Sequence, residues 1–206
     1  MGGKARWSYH LSMPRKLGYA FYRRPADVVA AALIGKILVR RCEQRDLRAR
    51  IVETEAYMGP QDLASHSSKG RTKRTEVMFG PAGRAYVYFI YGMHEMFNIV
   101  VGKPGEAHAV LLRAAEPLDG WSGNLTGPGR LARAMQITRA HYGVDLTGDV
   151  LFLQHNPSDR PRVIRTARVG VDYARHWKDA QLRFLDADSR AVSKPWPREG
   201  MSVARR

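Results

Sequence analysis

"RAYVYFIYGMHEMFNIVVGKPGEAHAVLLRAAEP", residues 84–117, decides the fold. Three β-rich runs, 84–91, 94–102 and 107–117, are separated by the turn signals "GM" and "KPGE". Side chains alternate along a strand, so Tyr86 and Tyr88 share a face and Tyr91 falls at or beside the first turn. Short connections of this kind join antiparallel neighbours, and the segment reads as a three-stranded meander.

Working outward, "ARIVETEAY" (49–57) reads as a strand that returns on "KILVRRC" (36–42) through a turn at 43–48. Before it, the Ala-rich stretch 25–35 reads as a helix, with Pro25 at the first helical position and Gly35 as its stop. Residues 58–83 carry Gly59, Pro60, Gly70, Gly80, Pro81 and Gly83, which predicts a long ordered loop of the kind that often carries function. A helix is expected over 127–138, strands over 150–154, 162–171 and 182–186, and one or two helical turns over 172–179. No repeat or linker interrupts the chain. The expectation is one α+β domain over residues 18–206 on a mostly antiparallel sheet with peripheral helices, preceded by a basic arm over 1–17.

The chain has 206 residues, enough for a sizeable core without covalent staples. It holds 34 Lys and Arg against 19 Asp and Glu, a net charge of +15, which favours a polyanionic partner. The basic residues lie in several separate segments: six in 1–24, four in 68–76, and Arg130, Arg133 and Arg139 in an acid-free stretch. That spread suits a face that tracks a phosphate backbone better than a polybasic tail. No apolar run is long enough to span a bilayer, no leader pattern opens the sequence, and Cys42 is the only cysteine. These features predict a protein that acts in a reducing compartment, cytoplasmic and nucleoid-associated in a bacterium or nuclear in a eukaryote, as a monomer.

Two acids stand in the strand 49–57. Glu53, Glu55 and Tyr57 share one of its faces. Taken alone, that face reads as an exposed one whose acids pair with arginines. Arg113, in the apolar run "AVLLRAAEP", needs a carboxylate partner if buried, and Glu55 is the natural candidate. Tyrosines in a basic protein pack a sheet or make platforms for bases, and one at a hairpin tip beside Met93 can act as a wedge in a duplex. His66 lies alone in the long loop. "GPGR" places Gly127, Gly129 and Arg130 at a helix start, either as a plain turn or as a phosphate site. The histidines show no metal-ligand spacing and no Walker-type loop is present, so neither a metal nor a cofactor is expected.

"RIVETEAYMGPQDLASHS", "AYVYFIYGMHEMFN", "AVLLRAAEP" and "TARVGV" together resemble the alkyladenine, or 3-methyladenine, DNA glycosylases of the mammalian type, over about residues 17–193. The resemblance implies a curved antiparallel sheet, double-stranded DNA with a damaged purine as partner, and hydrolysis of the N-glycosidic bond without metal or lyase step. It implies a general base at Glu55, with Arg113 and the backbone carbonyl of Val169 holding the attacking water. Tyr57, His66 and Tyr88 match base-pocket walls, Asn98 a residue at the pocket mouth, and Tyr91 an intercalating side chain. Glu53 is expected to be structural. The chain departs from the family at "HEMF", where Glu95 would set a negative charge near DNA if it faced that way. A lesion-binding protein of the same fold and a basic RNA-binding module are the alternatives.

Overall fold

The computed structural model describes residues 15–196. Its sheet has eight strands: β1 Ile37–Arg41, β2 Asp46–Tyr57, β3 Ala85–Ile90, β4 His94–Val101, β5 His108–Pro117, β6 Leu151–Gln154, β7 Val163–Thr166 and β8 Arg183–Asp186. All pairings between these strands are antiparallel, and the main path runs β3-β4-β5-β2-β1-β6. The sheet curls into a half-barrel in a single α+β domain, as expected. The meander 84–117 supplies β3, β4 and β5.

The twelve-residue β2 organises the rest. β5 runs along one edge, while β1 takes the first half of the other edge and β8 takes residues 53–55 of it. Helix α2, Ala26–Leu33, covers one face of the sheet, burying Val29, Ala30 and Leu33. Thr54 donates its hydroxyl to the Ala30 carbonyl at 2.9 Å, tying helix to strand. Pro25 sits one residue before the first turn rather than within it, and Gly35 (φ 82°) takes the left-handed conformation that ends the element.

Between β2 and β5 the register slips and then recovers. Ile51 pairs with Ala115, Glu53 with Ala114, and Thr54 with Leu112. Val52 is the extra residue on β2 and Arg113 the extra one on β5, so each strand carries a bulge that cancels the other. As a result, Ile51, Thr54 and Ala56 face the main core, while Val52 packs in a second cluster with Ala114 and Leu185. Arg113 is turned to the same side as Glu53.

Several boundaries differ from expectation. β2 begins at Asp46, so the turn before it is shorter than 43–48. Helix α3 covers Pro128–Ala134 rather than 127–138, because Gln136 takes a positive φ of 53° that no helix continues through. The strand read over 162–171 stops at Thr166, since the next residues bind side chains instead of a neighbouring strand. The segment 172–179 forms a short 3-10 turn, Arg175–Asp179. A short helix α1, Tyr19–Tyr22, was not anticipated. Of the arm read over 1–17, residues 1–14 lie outside the described residues, and Leu17 is buried, its N–H donating to Leu153. The long loop is ordered, with 3-10 turns at His66–Lys69 and Glu76–Phe79.

Candidate active site

Glu53 and Glu55 are both fully buried, which overturns the exposed-face reading of their strand. Burying a carboxylate is costly unless it is bonded throughout, and each of these two is. Glu53 Oε1 accepts from Arg113 Nε (2.8 Å), Arg183 Nε (2.7 Å) and Ser193 Oγ (2.9 Å), and its Oε2 accepts the Ser193 N–H at 2.5 Å. Two guanidiniums and a backbone amide thus consume this acid, consistent with the structural role expected of it. The main partner of Arg113 is therefore Glu53, not Glu55. The bulge aims its Nε at Glu53 and leaves Nη1 at 3.4 Å from Glu55 Oε1. Burial alone would lower the Arg113 pKa, but the charges of Glu55 and Glu53 outweigh it and raise it.

Glu55 is less encumbered. Its Oε1 accepts the Val169 N–H at 2.8 Å, and its Oε2 accepts the Tyr57 hydroxyl at 2.9 Å. Burial, then the charge of Glu55, pushes Tyr57 well above the ordinary phenol range and keeps it a donor. Tyr57, Arg113 and Val169 all line a cleft of about 260 Å³, and Glu55 lies behind them.

The segment that delivers the Val169 amide is held by its neighbour. Arg168, fully buried, binds Asp62 through Nη1 (2.5 Å) and Nη2 (2.8 Å) and also donates to the Ala56 carbonyl at 2.9 Å. Asp62 in turn accepts the N–H groups of Met58 and Ala64, each at 3.0 Å, which sets the turn after β2. Neither residue was singled out in the sequence. The available signal was "GPQDLASH", an acid soon after a Gly-Pro turn, but its partner lies 106 residues away.

The cleft walls are aromatic. Tyr57 and Tyr88 line it together with His66, Tyr86 and Asn98. The His66 and Tyr88 rings meet edge-to-face with centroids 4.5 Å apart. His66 Nδ1 lies 2.8 Å from the Tyr86 hydroxyl. Burial, helped by the charges of Arg74 and Lys69, holds His66 down at about 4, so its ring is neutral near pH 7. Tyr86 thus orients the loop histidine, and burial pushes its phenol up to about 12. Asn98 is buried and donates to the Tyr86 carbonyl at 3.2 Å.

At the rim, Tyr91–Met93 connect Ile90 to its cross-strand partner His94, and the Met93 N–H donates to the Ile90 carbonyl. Tyr91 and Gly92 are both left-handed, at φ 54° and φ 66°. For tyrosine that conformation is strained. The turn projects the Tyr91 ring, 80 % exposed, with Met93 beside it, also exposed. Tyr91 also lines the cleft mouth, so the sequence-level wedge and pocket residues come together. Glu95 bonds Arg139 at 3.1 Å and is largely covered, so its charge is compensated. Gly127 precedes α3 with φ 137°, Pro128 lines the cleft, and Gly129 packs so closely that an added Cβ would lie 3.0 Å from His94. Close packing on β4 is thus one reason for that glycine. Arg130 is exposed on the same helix and donates to Thr126 Oγ1 at 3.3 Å.

Comparisons with known proteins place the chain in a family. The methylpurine-DNA glycosylase family profile matches residues 20–190. A protein of Anaeromyxobacter sp. (strain Fw109-5) is 49 % identical over 180 residues, covering 87 % of this chain and 93 % of its own. One of Myxococcus xanthus (strain DK1622) is 51 % identical over 181 residues, covering 86 % and 93 %. One of Legionella pneumophila (strain Lens) is 47 % identical over 182 residues, covering 87 % and 99 %. Each bears the name "Putative 3-methyladenine DNA glycosylase". These matches define a hydrolase of N-glycosyl bonds that works on DNA in base excision repair. The chain belongs to the methylpurine-DNA glycosylase family.

Proposed function

We propose that this glycosylase flips damaged purines out of duplex DNA into the aromatic cleft and removes them with water activated by Glu55. The substrates are 3-methyladenine and 7-methylguanine, together with the neutral lesions hypoxanthine and ethenoadenine. A base inside the duplex is out of reach, and extruding it costs about a few kcal/mol. Tyr91, held at the hairpin tip, enters the gap and opposes the base's return, while α3 and Arg130 face the phosphates. The extruded purine lies between Tyr57 and Tyr88. An N3- or N7-alkylated purine is cationic, and an aromatic face attracts a cation by about 0.5–2 kcal/mol.

The observation that carries the reading is the buried Glu55 carboxylate, fixed from two sides and backed by Arg113 at the end of that slot. An ionised carboxylate offers about four lone-pair positions. The Val169 amide takes one position of Oε1, with Arg113 3.4 Å from the same oxygen, and Tyr57 takes one position of Oε2; the water would use the other position of Oε2. As the C1′–N9 bond breaks, its electron pair leaves with the purine and positive charge develops on the sugar. The water oxygen bonds to C1′ and its proton passes to Glu55. The negative charge of Glu55 also balances the oxocarbenium-like sugar before the proton arrives.

Glu55→Gln keeps the shape and removes the base. It is expected to bind lesion duplex and melt like wild type, yet to lose release of free purine by about 10²- to 10⁴-fold. The assay is base release from duplexes that each carry one modified purine, with the abasic strand checked for integrity. Wild-type rates in this variant would remove Glu55 from the mechanism.

A further inference from the structure

Both walls of the slot carry an arginine. Arg168 stacks over Tyr57 with its guanidinium carbon 4.8 Å from the ring centroid, and Arg74 over Tyr88 at 4.9 Å. Neither arginine lines the cleft. Arg74 instead lines a separate cavity with Lys73, Phe89 and Tyr142, to which Tyr88 is the shared wall, so it stands behind that ring as seen from the slot. The two cations differ in compensation. Arg168 is neutralised by Asp62. Among the described residues no carboxylate pairs with Arg74: Glu76, two residues on, is taken by Arg71, and Glu95 by Arg139. The Arg74 charge also acts on the Tyr86 hydroxyl, opposing the rise that burial causes.

We propose that Arg74 is a specificity-determining residue that turns the slot away from cationic purines and towards neutral ones such as hypoxanthine. The inference rests on the reading of Tyr57 and Tyr88 as the walls that hold the base. Its logic is a charge count. Measured from free protein and DNA, a cationic purine still carries part of its positive charge in the transition state, so its capture and release taken together are opposed by a cation behind Tyr88. A neutral purine acquires negative charge as the bond breaks, and the same cation favours it. Arg74 also uses the electron-rich ring that would otherwise attract the cationic base. A base stacked at van der Waals distance on the near face of Tyr88 would lie roughly 8–9 Å from the guanidinium. At an effective dielectric of about 20, one full charge at that range is worth somewhat more than tenfold in rate, and a partial charge proportionally less. Arg74 is exposed, so substituting it leaves the core intact.

The test compares single-turnover release of hypoxanthine and of 7-methylguanine from matched duplexes, at protein concentrations below saturation so that capture of the base is included, by wild type, Arg74→Gln and Arg74→Lys. Arg74→Gln is expected to lower the hypoxanthine-to-7-methylguanine rate ratio by about tenfold, and Arg74→Lys, which keeps the charge, to hold it near wild type. In a Glu55→Gln background, Arg74→Gln is expected to tighten binding of the 7-methylguanine duplex relative to the hypoxanthine duplex. An equal loss on both lesions, the mark of a phosphate contact or a packing role, overturns the inference, as does a lysine variant that behaves like glutamine. Wild type releasing neither base, or Glu55→Gln releasing both, refutes the slot chemistry itself and is seen before any Arg74 variant is compared.

Discussion

Arg168→Met makes a demanding test of how the carboxylate site is held. The substitution keeps a long flexible side chain but removes the guanidinium bound to both oxygens of Asp62 and to the Ala56 carbonyl. Asp62, fully buried, is left charged without its partner, a change that costs about 3–5 kcal/mol. Asp62→Asn alone strands the arginine instead and falls in the same range. In the double variant this pair no longer buries any charge. The amide oxygen that Asp62→Asn introduces can still accept one of the two N–H groups of the turn, so the double variant is expected to lie within about 2 kcal/mol of wild type, far from the sum of the singles. Urea unfolding of the four proteins measures the cycle. Base release, taken where every variant is fully folded, gives a second readout: both variants lacking Arg168 stay slow because Val169 no longer meets Glu55 squarely. Single variants within about 1 kcal/mol of wild type, or additive energies across the cycle, would show that the pair does not hold the segment and refute the reasoning.

Two further outcomes follow from the described geometry. Tyr91→Asn relieves a left-handed tyrosine at a site with little burial to lose, so it is expected to raise stability by about 0.5–1 kcal/mol, read as a higher melting temperature, while weakening capture of lesion duplex. A drop in stability, or unchanged lesion affinity, would count against the wedge. His66 titrates near 4 when folded against about 6.5 when unfolded, so between those values the unfolded chain binds the extra proton. Stability is therefore lost as pH falls from about 6.5 to about 4, by about 3 kcal/mol for this residue, and is unaffected by it above that window. His108 and His141 are also lowered, so the measurement is the difference in pH dependence between wild type and His66→Gln, which should lack that share.

The meander was legible because three alternating runs were punctuated by turn residues, and short antiparallel connections leave little freedom of topology. The common face of Glu53, Glu55 and Tyr57 was legible for the same reason, since period two survives any packing partner. Which acid would be structural and which free was not legible from the residues alone. That choice depends on Arg183 and Ser193, which reach Glu53 from 130 and 140 residues away. The pairing of Arg113 was half right: the need for a carboxylate followed from its apolar context, but the bulge that turns it to Glu53 leaves no local mark in the sequence. The strand read through 168–171 failed because alternating apolar residues there serve a loop whose arginine points inward to Asp62. The helix after Gly127 was overlong because nothing in "MQIT" announces the left-handed residue that stops it.

The paired slips in register between β2 and β5 have a consequence for how such a chain can vary. One extra residue on each strand leaves the partners beyond the defect in the phase they had before it, Ala49 opposite Pro117 on one side and Glu55 opposite Leu111 on the other. Removing a single residue from either strand would invert the side chains that follow it on that strand; on β2, ahead of Glu55, it would send Glu55 towards α2 and Ala56 into the cleft. Substitutions can accumulate in these segments one at a time, but their lengths can change only together. Counting residues from 49 to 57 and from 109 to 117 is therefore a stricter test of descent with retained chemistry than the identity of any one of them.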